Sequence, residues 1–264
     1  MNMYWREIRY NLRATVIWTG SLIGVAILFM AIFPAFAKEG EEFTKLLEGY
    51  PSGVMQAFGV QLDTITSFLG FYSYIFMYIT LCMAIQGMNL GLSSINKELN
   101  GKTAEFLLTK PVTRTQILTS KLLAIGTCVA LTNLIYLLAV SIMAFWIADG
   151  FDYQVFLLIS LTGLIVELVF VAIGVTLSIF VQKLKSVLAV SLGTVFGFFI
   201  LNMFESVIGE EAVKYITPFQ YFNMPYIIEH ASYEWEYVLL SIILIVVFIS
   251  ASFIQFSRED IRVM

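Results

Sequence analysis

Charge is what this sequence lacks most: only 13% of its 264 residues are Asp, Glu, Lys or Arg, against roughly a quarter in an ordinary soluble domain. That scarcity, with 59% hydrophobic residues and a mean hydropathy of +0.86, excludes water as the solvent for most of the chain. There is no basic surplus either, since 15 Lys and Arg stand against 19 Asp and Glu, and no surface suited to nucleic acid follows from it. The two cysteines, Cys82 and Cys128, lie inside apolar runs and supply no disulfide framework. The one histidine, His230, is too little for a metal centre, because zinc takes at least three protein ligands. It also lies outside the apolar runs, which leaves an intramembrane protease without a base beside a nucleophile.

What is abundant is the long apolar run. A helix needs about 20 mainly apolar residues to cross the hydrocarbon core while satisfying its own backbone hydrogen bonds. Six segments qualify, over about 14–36, 67–95, 117–148, 153–181, 186–204 and 237–256. They predict an all-α integral membrane protein, one transmembrane domain over 1–264, with outer segments at 37–66 and 205–236. An alternative reading of Ala35-Phe36-Ala37 as a signal cleavage site fails on length, because a signal peptide's apolar core spans about 7 to 15 residues.

Orientation follows from Lys and Arg, which are retained on the cytoplasmic side. Arg6, Arg9 and Arg13 precede the first span; Lys97, Lys102, Lys110, Arg114 and Lys121 surround the second-to-third connection; Lys183 and Lys185 join spans four and five; Arg258 and Arg262 close the chain. Twelve of the fifteen basic residues thus fall on one side, and thirteen acids, among them Glu39, Asp149 and Glu211, fall on the other with Lys38, Lys45 and Lys214. Both termini are expected in the cytoplasm. Before the first span, Trp5, Ile8 and Leu12 form one helical stripe and Arg6, Arg9 and Arg13 the next, which fits either a helix lying in the headgroups or a basic flank anchoring the span.

The connection 96–116 is the one cytoplasmic loop long enough for another protein to grip. Gly101-Lys102-Thr103 is not a phosphate-binding loop, because Asn96 stands where that motif requires its first glycine. Thr103 to Thr109 suits a short helix with an apolar side, which Pro111 interrupts. Thr113 and Gln116 then form a capping-box pair, with Val112 and Ile117 at the hydrophobic-staple positions, so the third span starts with its exposed N–H groups satisfied. The expected product is a short surface helix rigidly jointed to a transmembrane helix, the arrangement that mechanical coupling requires.

Glu98-Leu-Asn-Gly-Lys-Thr-Ala-Glu105-Phe-Leu-Leu-Thr-Lys-Pro111-Val-Thr-Arg114, followed by Ile117 and Lys121, closely resembles the cytoplasmic loop of ABC-2-type transporter permeases. The family's pattern is an acidic residue, a glycine, Thr and Glu before a leucine pair, then Pro-Val-Ser/Thr-Arg and a lysine. Pro51 in the outer segment, Thr217-Pro218-Phe219 with Tyr221-Phe222, and the closing Arg258-Glu-Asp260 extend the likeness over nearly the whole chain. Lys102 departs from it, standing where small residues are commoner.

The resemblance implies a type V exporter-like fold with six transmembrane helices, a cytoplasmic coupling helix and outer re-entrant helices. It also implies a bacterial or archaeal plasma membrane, a second permease chain as homodimer or heterodimer partner, and cytoplasmic ABC ATPase subunits that carry the ATP and Mg; this chain holds no cofactor and does no covalent chemistry. Glu98, Gly101, Thr103, Glu105, Phe106, Leu107, Leu108, Pro111 and Arg114 are then the expected ATPase-coupling residues. Within the spans, Glu167 is costly to bury without a partner, so it either lines a pathway or binds a coupling ion, or else bonds a neighbouring helix. Asn133 and Asn202 are candidate pathway residues for the same reason, and like Asn89 they also suit interhelical hydrogen bonding. An ion-coupled secondary transporter resting on Glu167, and a membrane sensory or immunity component, are the competing functions.

Overall fold

A computed structural model describes residues 3–40, 64–100, 113–181, 184–208 and 211–258, together with isolated positions between 49 and 59. The described residues form helices without strands: α1 (Met3–Lys38), α2 (Phe68–Asn100), α3 (Arg114–Ile147), α4 (Tyr153–Phe180), α5 (Val187–Ile208), α6 (Glu211–Lys214), a 3₁₀ turn (Pro218–Gln220), α7 (Met224–His230) and α8 (Trp235–Arg258). Among them α1, α2, α3, α4, α5 and α8 are long and apolar enough to cross a membrane.

Local chemistry sets the ends. Thr113 and Gln116 close the expected capping box: the Gln116 N–H donates to Thr113 Oγ1 at 3.3 Å, and the Thr113 N–H donates to Gln116 Oε1 at 3.1 Å. Asp152 caps α4 by accepting from the N–H groups of Gln154 and Val155. The short turn between α3 and α4 passes through Gly150 at φ +74°, a left-handed conformation that favours glycine. Val112, the outer half of the expected staple, lies outside the described residues.

Two helices form the centre. Within the membrane windows, 72% of α2 and 67% of α4 is buried in protein, against 11% of α8, and α2 against α4 is the most extensive pairing. Glycine makes that pairing close. A Cβ on Gly87 would lie 2.6 Å from the Glu167 carbonyl oxygen, and one on Gly174 would lie 2.7 Å from that of Met88, so backbone meets backbone with no room for a side chain. Gly87 and Gly91 are four apart on one face of α2, the small-xxx-small spacing that lets membrane helices approach. Tyr72 on α2 and Ser160 on α4 add a hydroxyl contact at 2.8 Å.

Around this pair, α1 packs on α3, α5 on α2 and α8 on α4, the last tied by Thr176 Oγ1 to Ser252 Oγ and to the Phe248 carbonyl, each at 3.0 Å. Helix α1 begins well ahead of the apolar run and is unbroken. Trp5 and Leu12, from the expected apolar stripe, are exposed; the stripe that faces the bundle is Glu7, Asn11, Thr15 and Thr19, continued by Leu22, Ala26, Met30 and Phe33. The buried face of α1 therefore changes from polar to apolar along its length.

Beyond α5 the chain forms short elements that pack back onto the ends of α4, α5 and α2. Tyr221 donates to the Tyr215 carbonyl and Tyr233 to the Leu158 carbonyl, each at 2.7 Å. Burial pushes both phenols up to about 12, so both remain donors at neutral pH. This is the outer segment for which re-entrant helices are expected, and its Thr217, Pro218, Tyr221, Phe222 and Ile227 are buried.

Candidate functional site

The end that the basic residues assign to the cytoplasm carries the densest polar organisation. Of the expected coupling residues, Gly101, Thr103, Glu105, Phe106, Leu107, Leu108 and Pro111 lie outside the described residues, as does the side chain of Glu98. Arg114 is described. It opens α3, and its Nη1 donates to the Phe256 carbonyl in the last turns of α8 at 3.4 Å, where a cation complements unpaired helix carbonyls.

Above Arg114, Lys121 turns inward. Its ammonium donates to Glu7 Oε1 at 3.1 Å and to the Ser94 carbonyl at 2.7 Å, and the Lys121 and Glu7 side chains are only 1% and 5% exposed. One cation thus touches α1, α2 and α3. Ser94 Oγ continues the contact to Ser178 Oγ on α4 at 3.3 Å. Asn96 grips the other inner connection from both sides: the Leu184 N–H donates to Asn96 Oδ1 at 3.0 Å, and Asn96 Nδ2 donates to the Leu184 carbonyl at 3.4 Å. The roots of the 96–116 loop are consequently bonded to every other long helix or to the connection that leads into it.

Deeper in the bundle, the structure brings together two of the three candidate pathway residues. Glu167 is fully buried, and its Oε2 accepts from Asn133 Nδ2 at 2.7 Å, joining α4 to α3, while Oε1 has no hydrogen-bond partner among the described residues. Close by in sequence, Gln86 Nε2 donates to Thr132 Oγ1 at 3.0 Å, and Thr132 Oγ1 meets Thr19 Oγ1 at 2.9 Å, so a second polar link joins α2, α3 and α1.

Asn202 stands apart from them. It lines a cavity of about 250 Å³ under the 3₁₀ turn and the start of α7, with Ser73, Thr80, Thr162, Phe219 and Gln220. An apolar groove of about 310 Å³ runs between α1 and α2, lined by Trp18, Leu22, Phe29, Tyr78 and half-buried Cys82 among others. His230 stacks on Tyr226 with centroids 4.2 Å apart, and no cluster of three metal-ligating side chains occurs among the described residues.

Sequence reasoning missed Glu7, Gln86 and the contact between Gly87 and Glu167. Glu7 and Lys121 are 114 positions apart, and a lone acid in a basic flank has no pattern to mark it. The glycine spacing on α2 is a legible signal, and it is the one that would have placed α2 at the centre.

Six helices long and apolar enough to cross a membrane, two of them central, define a polytopic membrane protein. The family model described as ABC-2 family transporter protein matches residues 1–261, so the chain belongs to that family and is a permease of an ABC transporter. Among curated proteins the chain has no significant match.

Proposed function

We propose that this permease belongs to an ATP-driven exporter of a bacterial or archaeal plasma membrane, in which it pairs with a second permease chain, identical or homologous. Two cytoplasmic ATPase subunits carry the ATP and Mg and press on the 96–116 loop. The observation that supports this reading best is the joint at Thr113. The capping box leaves no frayed turn between the loop and α3, and Arg114, Lys121 and Asn96 fasten the roots of the loop to the rest of the bundle. A force applied to the loop therefore reaches the spans instead of being absorbed in slack backbone.

A face for the second permease is offered by α5. Gly193 and Gly197 are exposed, four residues apart, and a Cβ on either would meet nothing within 4 Å, so their small surface is unused among the described residues. Small residues at this spacing favour close helix pairing in a membrane, and the translocation route would then lie between the two chains. Asn202 lines the cavity under the 3₁₀ turn, which supports a place on the outer part of that route, whereas Glu167 and Asn133 are bonded to each other inside the bundle.

Purification of the tagged chain from native membranes, followed by native mass measurement, tests the reading. The expected assembly holds two permease chains and two ATPase subunits. A functional complex with one permease chain overturns the pairing, and ion-driven transport by the chain without an ATPase overturns the exporter reading in favour of a secondary transporter.

A further inference from the structure

The buried pair Glu7–Lys121 stands where apolar contact already does the packing. Leu90, Ile95, Ile117, Leu118 and Ile125 share one hydrophobic cluster at this end of the bundle with residues of α4 and α8, so α2 and α3 are packed there without the pair. Burying two charges is costly, and replacing such a pair by well-packed apolar residues is often neutral or stabilising. What the pair adds is geometry. Ser94 lies six residues before the end of α2 and Lys121 seven after the start of α3, each about 10 Å along its helix from the 101–112 segment. Lys121 bonds the Ser94 carbonyl at 2.7 Å and Glu7 at 3.1 Å, so the two helices that carry the loop are held to each other and to α1 at one depth.

The loop itself belongs to α2 and α3. Helix α1 does not flank it, and among the described residues α1 also meets α3 through two hydroxyl pairs of either polarity, Tyr4 with Thr127 at 3.0 Å and Thr19 with Thr132 at 2.9 Å. The ion pair has a fixed direction, from the Lys121 ammonium to Glu7, and it lies nearer the loop than the Thr19 contact does.

We infer that Glu7 and Lys121 are positioning residues of the transport cycle: together with the Ser94 carbonyl they form the joint that carries movement of the coupling loop into α1. The inference rests on the reading that an ATPase drives this chain through the loop. It assigns the cost of the buried charges to registration of three helices, a role that packing alone does not fill because apolar side chains slide past one another with little directional preference.

The test uses the complete permease–ATPase complex in lipid nanodiscs, with spin labels at two lipid-exposed positions, Ile17 on α1 and Leu239 on α8. Their separation is measured without nucleotide and after trapping with ATP and vanadate, in the parent and in the double variant Glu7→Leu/Lys121→Met. The double variant removes both members of the ion pair, so it keeps assembly, thermal midpoint and basal hydrolysis near the parent while the nucleotide-dependent change in separation is lost. The single variants Lys121→Met and Glu7→Leu, each removing one member of the pair and leaving the other buried, lower the thermal midpoint as well.

A double variant whose α1 moves as in the parent makes the pair a structural pin and overturns the inference, as does a parent whose α1 is unmoved by trapping. Failure of the parent chain to bind an ATPase at all is a different result, and it overturns the exporter reading on which the joint depends.

Discussion

Asn133 on α3 donates to Glu167 on α4 across 2.7 Å, and the Glu167 side chain rests against the bare backbone of Gly87 on α2. One side chain therefore links the central pair, α2 and α4, to α3.

This contact predicts different outcomes for two substitutions at Glu167. Glu167→Gln keeps the volume and an oxygen for Asn133, so it should leave the unfolding midpoint and ATPase-coupled activity near those of the parent. Glu167→Ala removes the bond and opens a cavity among α2, α3 and α4, which should cost about 3 kcal/mol in reversible unfolding from detergent micelles. A well-folded Glu167→Gln protein without coupled activity would show that the carboxyl itself takes part in the transport cycle.

Glycines on α2 and α5 are expected to behave in opposite ways. A Cβ on Gly91 would stand 2.5 Å from the Val171 carbonyl, so Gly91→Leu must push α2 from α4 and should destabilise the chain by about 2 kcal/mol or more. Gly197→Leu meets open space and should leave the single chain stable while weakening the pairing of two permeases. Thermal unfolding and native mass measurement on both variants separate the two effects; equal loss of stability in both would remove α5 as the pairing face.

The coupling loop predicts a separation of binding from transmission. Glu105→Lys reverses a charge that faces the partner in the proposed complex and should lower ATPase co-purification without reducing membrane insertion. Pro111→Ala removes the fixed φ that proline imposes just ahead of α3, so it should reduce stimulated hydrolysis more than association. Wild-type behaviour of both variants would place the ATPase contact elsewhere.

Orientation is testable with single cysteines in a background where Cys82 and Cys128 are replaced. Cysteine at positions 40 and 211 should react with an impermeant thiol reagent added outside, and cysteine at 102 and 260 should not, because twelve of fifteen basic residues lie on the opposite side. The reverse pattern would overturn the topology and the coupling loop together.

Local chemistry made several features legible before the fold was seen. Six apolar runs long enough to cross a membrane, the cap at Thr113 and the family pattern from Glu98 to Lys121 depend on neighbouring residues only, and the structure or the family match bears each of them out so far as the described residues reach. The unusual cost of Glu167 was legible too, since one acid in an apolar run needs a partner; that the partner is Asn133 was not, because it lies 34 positions away on a different helix.

The sequence by itself determined that this is an all-α membrane protein, because hydropathy, charge placement and capping act along the chain, and the 98–121 pattern carries the resemblance to the ABC-2 family. Only the tertiary structure decided which helices are central and which face of each is buried. Lipid is as apolar as leucine, so hydrophobicity cannot distinguish a side chain that meets another helix from one that meets the bilayer. On α1 the apolar stripe of Trp5 and Leu12 is left exposed while Glu7, Asn11, Thr15 and Thr19 turn inward, since hydrogen bonds and ion pairs, together with the close approach that glycine permits, are what draw helices together where solvent and core are alike.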